Sequence, residues 1–209
     1  MRLRYPCTNS PATQLLAARR WRRLMGQFAP CQGSDMPRSA ATGSSTSRGV
    51  LEVDWLFFGE LCRALALRVV REYQPEVVLG IAKAGVIPGV VVASILQCEF
   101  SSMVVTRRGK SGQPVLVSGP PSTIRDRRVL LVDETCDTGS TLKLALSEVR
   151  ALKPKQVKTA VSFKTGPYTP DYHAFETENF IILPWDREII QNGELIVRPD
   201  YAARLKEPG

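Results

Sequence analysis

One stretch, Val129 to Leu142 with the sequence VLLVDETCDTGSTL, constrains the fold more than any other. Its four leading apolar residues predict a short buried strand, Val129 to Val132, and two acids, Asp133 and Glu134, follow at the carboxyl end. Asp137-Thr138-Gly139-Ser140-Thr141 then turns into a helix expected over Ser140 to Lys153, in which Leu142, Ala145, Leu146, Val149 and Leu152 form a buried stripe. The first turn of such a helix presents unpaired backbone N–H groups and the positive end of the dipole. Gly139 admits a close approach there, and Thr138, Ser140 and Thr141 add hydroxyl donors, so the turn is an anion site. Two adjacent carboxylates before it suit the vicinal hydroxyls of a sugar, and a sugar phosphate satisfies both halves. Taken singly, Asp137 reads as a helix N-cap, Thr138 and Ser140 as turn residues and the acid pair as solvated loop side chains. Their clustering behind one apolar strand favours the ligand reading. The nucleoside-triphosphate loop is excluded, because G-x-x-x-x-G-K-[ST] occurs nowhere in the chain.

The rest of the folded part repeats the strand-then-helix pattern. Asp54 is placed to cap a helix carrying Phe58, Leu61, Cys62, Leu65, Val69 and Tyr73 at helical spacing, and Pro75 lies beyond its end. Val77 to Ile81 predicts a strand, Lys83-Ala84-Gly85 a turn, Pro88 to Gln97 a helix, and Met103 to Thr106 a strand. Arg107 to Arg128, rich in Gly and Pro around a weak strand at Val115 to Val117, predicts a long loop of the kind that serves as a lid. Strands follow at Val157 to Phe163 and Phe180 to Leu183. This alternation implies an α/β fold: a parallel, twisted sheet with helices on both faces and ligands at the carboxyl ends of its strands.

The formal net charge is +8, which invites a nucleic-acid or membrane-surface reading, but seven of those charges fall in residues 1–50, where eight Arg face a single acid, Asp35. That segment is expected to be a disordered basic extension, with residues 51–209 forming the folded domain. Three readings of it stay open: an organelle transit peptide, a nucleic-acid-binding arm, or an upstream extension with Met36 as the true start. A short basic amphipathic helix is expected at Gln14 to Met25. Five cysteines without a C-x-x-C pair argue against a disulfide framework or a zinc site and suit a reducing compartment. The cytoplasm is therefore expected, or an organelle if residues 1–50 are a transit peptide. The longest apolar run, Val86 to Leu96, is too short to span a membrane.

The hydrophobic strand, two acids and T-G-x-T-like turn resemble the phosphoribosyl-diphosphate motif of type I phosphoribosyltransferases, a likeness that extends over Trp55 to Ile190. The resemblance implies that family's fold with a small hood region. It is nearest to the hypoxanthine and xanthine–guanine enzymes, in which an aspartate before Thr-Gly, here Asp137, faces N7 of a 6-oxopurine as proton acceptor. Thr138, Gly139, Ser140 and Thr141 would then hold the 5-phosphate, and Asp133 and Glu134 the ribose hydroxyls. Lys83, Ala84 and Gly85 would hold the pyrophosphate, with Ala84 standing where the family has glycine. Lys164 would donate to O6, Phe180 would stack on the base, and a carbonyl near Ile181 would meet its exocyclic groups. Arg107 would approach the pyrophosphate from the lid. The implied cofactor is Mg2+, with Asp186, Asp133 and Glu134 as its protein ligands.

What the resemblance implies as activity is transfer of 5-phosphoribosyl from phosphoribosyl diphosphate to N9 of hypoxanthine, guanine or xanthine, as in purine salvage. The implied partners are those two substrates and further copies of the chain, as a dimer or tetramer; no membrane partner is expected, and the near-neutral charge of the folded part argues against nucleic acid. The rival is a regulator on the same fold that senses phosphoribosyl diphosphate or a nucleotide and binds nucleic acid through the basic arm. A salt-dependent gel shift with the full chain would favour that rival. Cys136 lies in the phosphate loop, where helix-terminal cysteines can be acidic thiols, and His173 is the lone histidine, with no evident nucleophile beside it.

Overall fold

The structure, a computed structural model, describes residues 49–108 and 112–205. The chain divides into two units, residues 1–45 and 46–209, and all described residues belong to the second. The expected basic extension, its helix at Gln14 to Met25 and its Met36 start therefore lie outside the described residues, except for Gly49 and Val50.

The helix α1 (Trp55–Glu72) begins where Asp54 was expected to cap it: Asp54 Oδ1 accepts the Phe57 N–H at 2.6 Å. It ends at Tyr73, whose hydroxyl donates to the carbonyls of Val129 at 3.0 Å and Gln156 at 3.2 Å. Strand β1 (Val50–Glu52) precedes it, and β2 (Val77–Ala82), α2 (Val86–Leu96) and β3 (Glu99–Arg108) follow. Next come β4 (Gln113–Ser118), β5 (Arg128–Cys136), α3 (Ser140–Ala151), β6 (Gln156–Lys164) and β7 (Tyr172–Glu176). The last elements are β8 (Phe180–Ile182), β9 (Glu188–Gln191), β10 (Glu194–Val197) and α4 (Pro199–Arg204).

Six strands form one sheet in the order β4-β3-β2-β5-β6-β7. All neighbours are parallel except β3 and β4, which pair antiparallel at the edge. The residue alternation of a strand splits the core into two layers. Val78, Leu130, Val132 and Ala160 face Phe58, Leu65 and Val69 of α1 and Val92 of α2. Leu79, Ile81, Leu131 and Val161 face Leu142, Ala145 and Val149 of α3. Both faces are thus covered, as expected, and the carboxyl ends of β2, β5 and β6 are left for ligands. No described helix is long and apolar enough to cross a membrane.

Several boundaries differ from expectation. The weak strand expected at Val115 to Val117 within the loop over Arg107 to Arg128 is real and longer: β4 pairs back along β3, which itself runs to Arg108, with Arg107 opposite Pro114, while the residues after Ser118 stay outside the pairing. An edge strand tolerates that proline, which otherwise signals a loop. Phe180 to Ile182 forms a strand but not in the main sheet; it pairs in parallel with β1, and β9 with β10 makes a further small sheet.

Candidate functional site

The carboxyl end of β5 carries the acid pair, but inside the strand rather than after it, because pairing with β6 continues through Asp133 opposite Val161 and Cys136 opposite Lys164. Asp133 is consequently buried, while Glu134 is half-buried. Asp133 Oδ1 accepts the Glu134 N–H at 3.0 Å. Burial, reinforced by the Glu134 carboxyl, pushes the Asp133 acid well above the usual carboxylate range, with Arg107 acting weakly against it.

The turn after β2 packs directly on this strand end. A methyl group on Gly85 would lie 2.7 Å from the Ile81 carbonyl oxygen and 2.8 Å from Asp133 Oδ1. Gly85 is therefore required for close approach, its φ being −64°. Ala84 is not among the described residues with positive φ, so the backbone there does not itself call for glycine. Lys83 is exposed, and the Ala82–Lys83 peptide is cis.

Gly139 stands at the N-cap of α3 with φ +73°, and no side chain caps the helix. The N-cap reading of Asp137 is thereby overturned: its side chain is exposed and the N-cap position belongs to Gly139. Thr138 Oγ1 accepts the Ser140 N–H at 3.4 Å and its hydroxyl donates to Ser140 Oγ at 3.2 Å. Arg107 reaches Thr141, Nη2 to Oγ1 at 3.4 Å, so its guanidinium stands at the anion turn. The loop rests on residues 165–168, where the Thr165 N–H donates to the Cys136 carbonyl at 2.8 Å and the Tyr168 N–H to the Asp137 carbonyl at 3.3 Å. Cys136 is no acidic thiol. It ends a strand, and burial, with Asp133 and Asp137 nearby, pushes it up to about 11.

An open cleft of about 440 Å³ lies beside this edge, lined by Thr135, Asp137, Thr165, Phe180, Ile181 and Arg204 among others. Lys164 is the last residue of β6, not one beyond it, and its ammonium pairs with Glu176, directly opposite on β7. That pairing holds the Glu176 carboxyl below its usual range. His173 Nε2 lies 3.8 Å from Glu176, and burial together with Arg68 lowers its basicity. Sequence reasoning missed Arg198, Tyr201 and Arg204, which α4 and its N-cap bring to the site; Pro199 followed by Asp200 was the available helix-start signal.

The three carboxylates assigned to magnesium do not converge. Asp186 accepts from Arg198 at 2.6 Å and from the Tyr201 hydroxyl at 2.5 Å, and among the described residues no three His, Cys, Asp or Glu side chains gather. Asp133 and Glu134 are the two that stand together, and since magnesium keeps waters and takes one or two carboxylates beside phosphate oxygens, that pair would hold it.

A mostly parallel sheet covered on both faces, with a glycine turn at a helix start and an acid pair at its carboxyl edge, defines an α/β protein whose ligand site is expected at that edge. Residues 54–194 match the family described as phosphoribosyl transferase domain, and the chain belongs to that family. Among solved structures it is similar to a purine phosphoribosyltransferase from Pyrococcus horikoshii, with TM-score 0.62 and 31% identity over 69% of this chain and 99% of that one. A xanthine-guanine-hypoxanthine phosphoribosyltransferase from Helicobacter pylori shares the fold, with TM-score 0.58 and 19% identity over 65% of this chain and 93% of that one. The human hypoxanthine-guanine phosphoribosyltransferase is 39% identical over 67 residues, 29% of this chain and 31% of that protein. Human phosphoribosyltransferase domain-containing protein 1 is 30% identical over 95 residues, 42% of each chain. The chain thus spans less than half the length of the curated relatives it matches.

Proposed function

We propose that the protein transfers 5-phosphoribosyl from phosphoribosyl diphosphate to N9 of a 6-oxopurine, releasing pyrophosphate, as a purine salvage enzyme. The observation that carries this reading is Asp137: it belongs to the anion turn, caps no helix, and lines the same cleft as Phe180 and Ile181. A carboxylate so exposed between a phosphate loop and an aromatic wall suits the N7 proton of a purine whose N9 attacks the sugar.

Departure of pyrophosphate leaves oxocarbenium character on ribose C1, so catalysis requires neutralised leaving-group charge and fixed geometry. The turn at Lys83 to Gly85 supplies a cation and backbone amides to the leaving group. Thr138 to Thr141, with Arg107 beside Thr141, hold the 5-phosphate. Asp133 and Glu134 accept the ribose hydroxyls. Magnesium, when bound, neutralises charge on the diphosphate. Asp137 orients the base and takes its N7 proton, and Lys164, released by Glu176, donates to O6. Pyrophosphate release measured with magnesium, phosphoribosyl diphosphate and each of hypoxanthine, guanine and xanthine tests the reading. Release with a 6-oxopurine supports it, whereas release only with adenine or a pyrimidine would overturn the base assignment.

A further inference from the structure

The family match ends at residue 194, yet the segment after it meets the site in two places. Arg198 Nη1 donates to Asp186 Oδ1 at 2.6 Å and the Tyr201 hydroxyl donates to Oδ2 at 2.5 Å, so both oxygens of this carboxylate are engaged. Tyr201 is buried, and the Arg198 N–H donates to the Arg187 carbonyl at 3.0 Å, which ties the start of α4 to the start of the β9–β10 hairpin. One turn beyond Tyr201, Arg204 carries its guanidinium to 4.1 Å above the Phe180 ring, and the Tyr201 and Phe180 ring centroids are 5.6 Å apart in an edge-on contact. Arg204 lines the cleft together with Phe180, Ile181 and Asp137.

We propose that Asp186 is the anchor of α4 rather than a ligand of magnesium, and that α4 is a wall of the base pocket which delivers Arg204 to the base. The identity of that base rests on the reading under Proposed function; the anchoring does not. An ion in place at Asp186 would have to displace a guanidinium and a hydroxyl at once, and no other two carboxylates stand near to share it among the described residues. Arg204, by contrast, is exposed on a flexible stem and makes a contact that is readily exchanged. A purine entering between ring and guanidinium replaces one cation–π contact with two stacked ones, the Phe180 ring on one face and the guanidinium on the other. Asp186 is then a positioning residue acting through α4, and Arg204 is the base contact.

Three measurements on the full chain test this: calorimetric titration of IMP and GMP, amide hydrogen exchange over residues 198–205, and the magnesium concentration giving half-maximal pyrophosphate release. Arg204→Met and Asp186→Asn should each weaken nucleotide binding about tenfold, and the double variant should be no weaker than either. Exchange over 198–205 should quicken in Asp186→Asn but not in Arg204→Met, and half-saturation by magnesium should stay at the wild-type value in both. The proposal is overturned if Asp186→Asn shifts the magnesium requirement with 198–205 still protected, or if Arg204→Met binds nucleotide as well as or better than wild type. A chain that binds IMP or GMP through Arg204 but releases no pyrophosphate sinks the catalytic reading and leaves this one standing; a chain that binds neither nucleotide sinks this one.

Discussion

Gly166 lies against Asp137 so closely that a methyl group on it would fall 2.8 Å from the Asp137 carbonyl oxygen and nearer still to the carboxylate. The turn that supports the anion loop therefore also fixes the side chain proposed to meet the base. Gly166→Ala must push Asp137 aside, and a displacement of this kind near the chemistry costs on the order of 10- to 100-fold in kcat/KM. Steady-state kinetics should show the loss in kcat/KM for the purine, with KM for phosphoribosyl diphosphate little changed. Equal loss for both substrates would mean the whole loop had moved.

Gly139 is needed for a different reason. Its φ of +73° is costly for alanine, and a Cβ there would lie 2.6 Å from Tyr168 Cδ2. Gly139→Ala should cost about 2 kcal/mol of stability in a urea titration, from the left-handed backbone and the aromatic overlap together. Adding Tyr168→Ala should recover the steric part and leave the backbone part.

How far such features could be read in advance depended on whether they were local. The β5 strand, its acids and the Gly139 turn follow one another in the chain, and periodicity plus helix-start chemistry located them. The Asp54 cap was legible for the same reason. The pressure of Gly166 on Asp137, of Tyr168 on Gly139 and of α4 on Asp186 joins residues 12 to 29 positions apart, which no local pattern encodes. The length of β4 was hidden because an edge strand accepts a proline, here Pro114, that otherwise signals a loop. The burial of Asp133 was hidden because β5 runs past its apolar core as far as its pairing with β6 allows.

Asp133 is held where its charge is costly. Its folded-state acid lies well above the unfolded value near 3.8, so its contribution to stability is full below that value and is lost as pH rises through the folded one. Asp133→Asn removes the penalty while keeping an oxygen to accept the Glu134 N–H. The variant should be more stable than wild type at neutral pH by about 1 kcal/mol, a gain that vanishes as pH falls toward 4. Activity should be lost with the ribose contact. A thermal denaturation series from pH 4 to 8 checks the sign; a variant less stable at pH 8 would contradict it.

Ser162 has a fully buried hydroxyl with no hydrogen-bond partner among the described residues. An orphaned hydroxyl carries its desolvation cost without return, so Ser162→Ala should stabilise the fold by about 1 kcal/mol in denaturant titration, with the m-value unchanged.

Asp171 works in the opposite sense from Asp133. Burial alone would raise its pKa, but the Lys158 ammonium at 2.7 Å and the Thr159 N–H and hydroxyl, both at 2.8 Å, outweigh it and hold the carboxyl below its usual range. These bonds join β6 to the segment entering β7, the strand that carries Glu176 beside Lys164. A lowered folded pKa gives stability that is present above the unfolded value of 3.8 and lost as pH falls through the folded one. Asp171→Ala leaves the Thr159 N–H and hydroxyl, which are nearly buried, without their acceptor. The expected cost is about 2–3 kcal/mol at pH 7, shrinking below pH 4 as the wild-type carboxylate protonates. Paired urea titrations of wild type and variant at pH 7 and pH 3.5 measure it, and a difference that stays constant between the two would show that packing, not the ionised carboxylate, holds β7 in place.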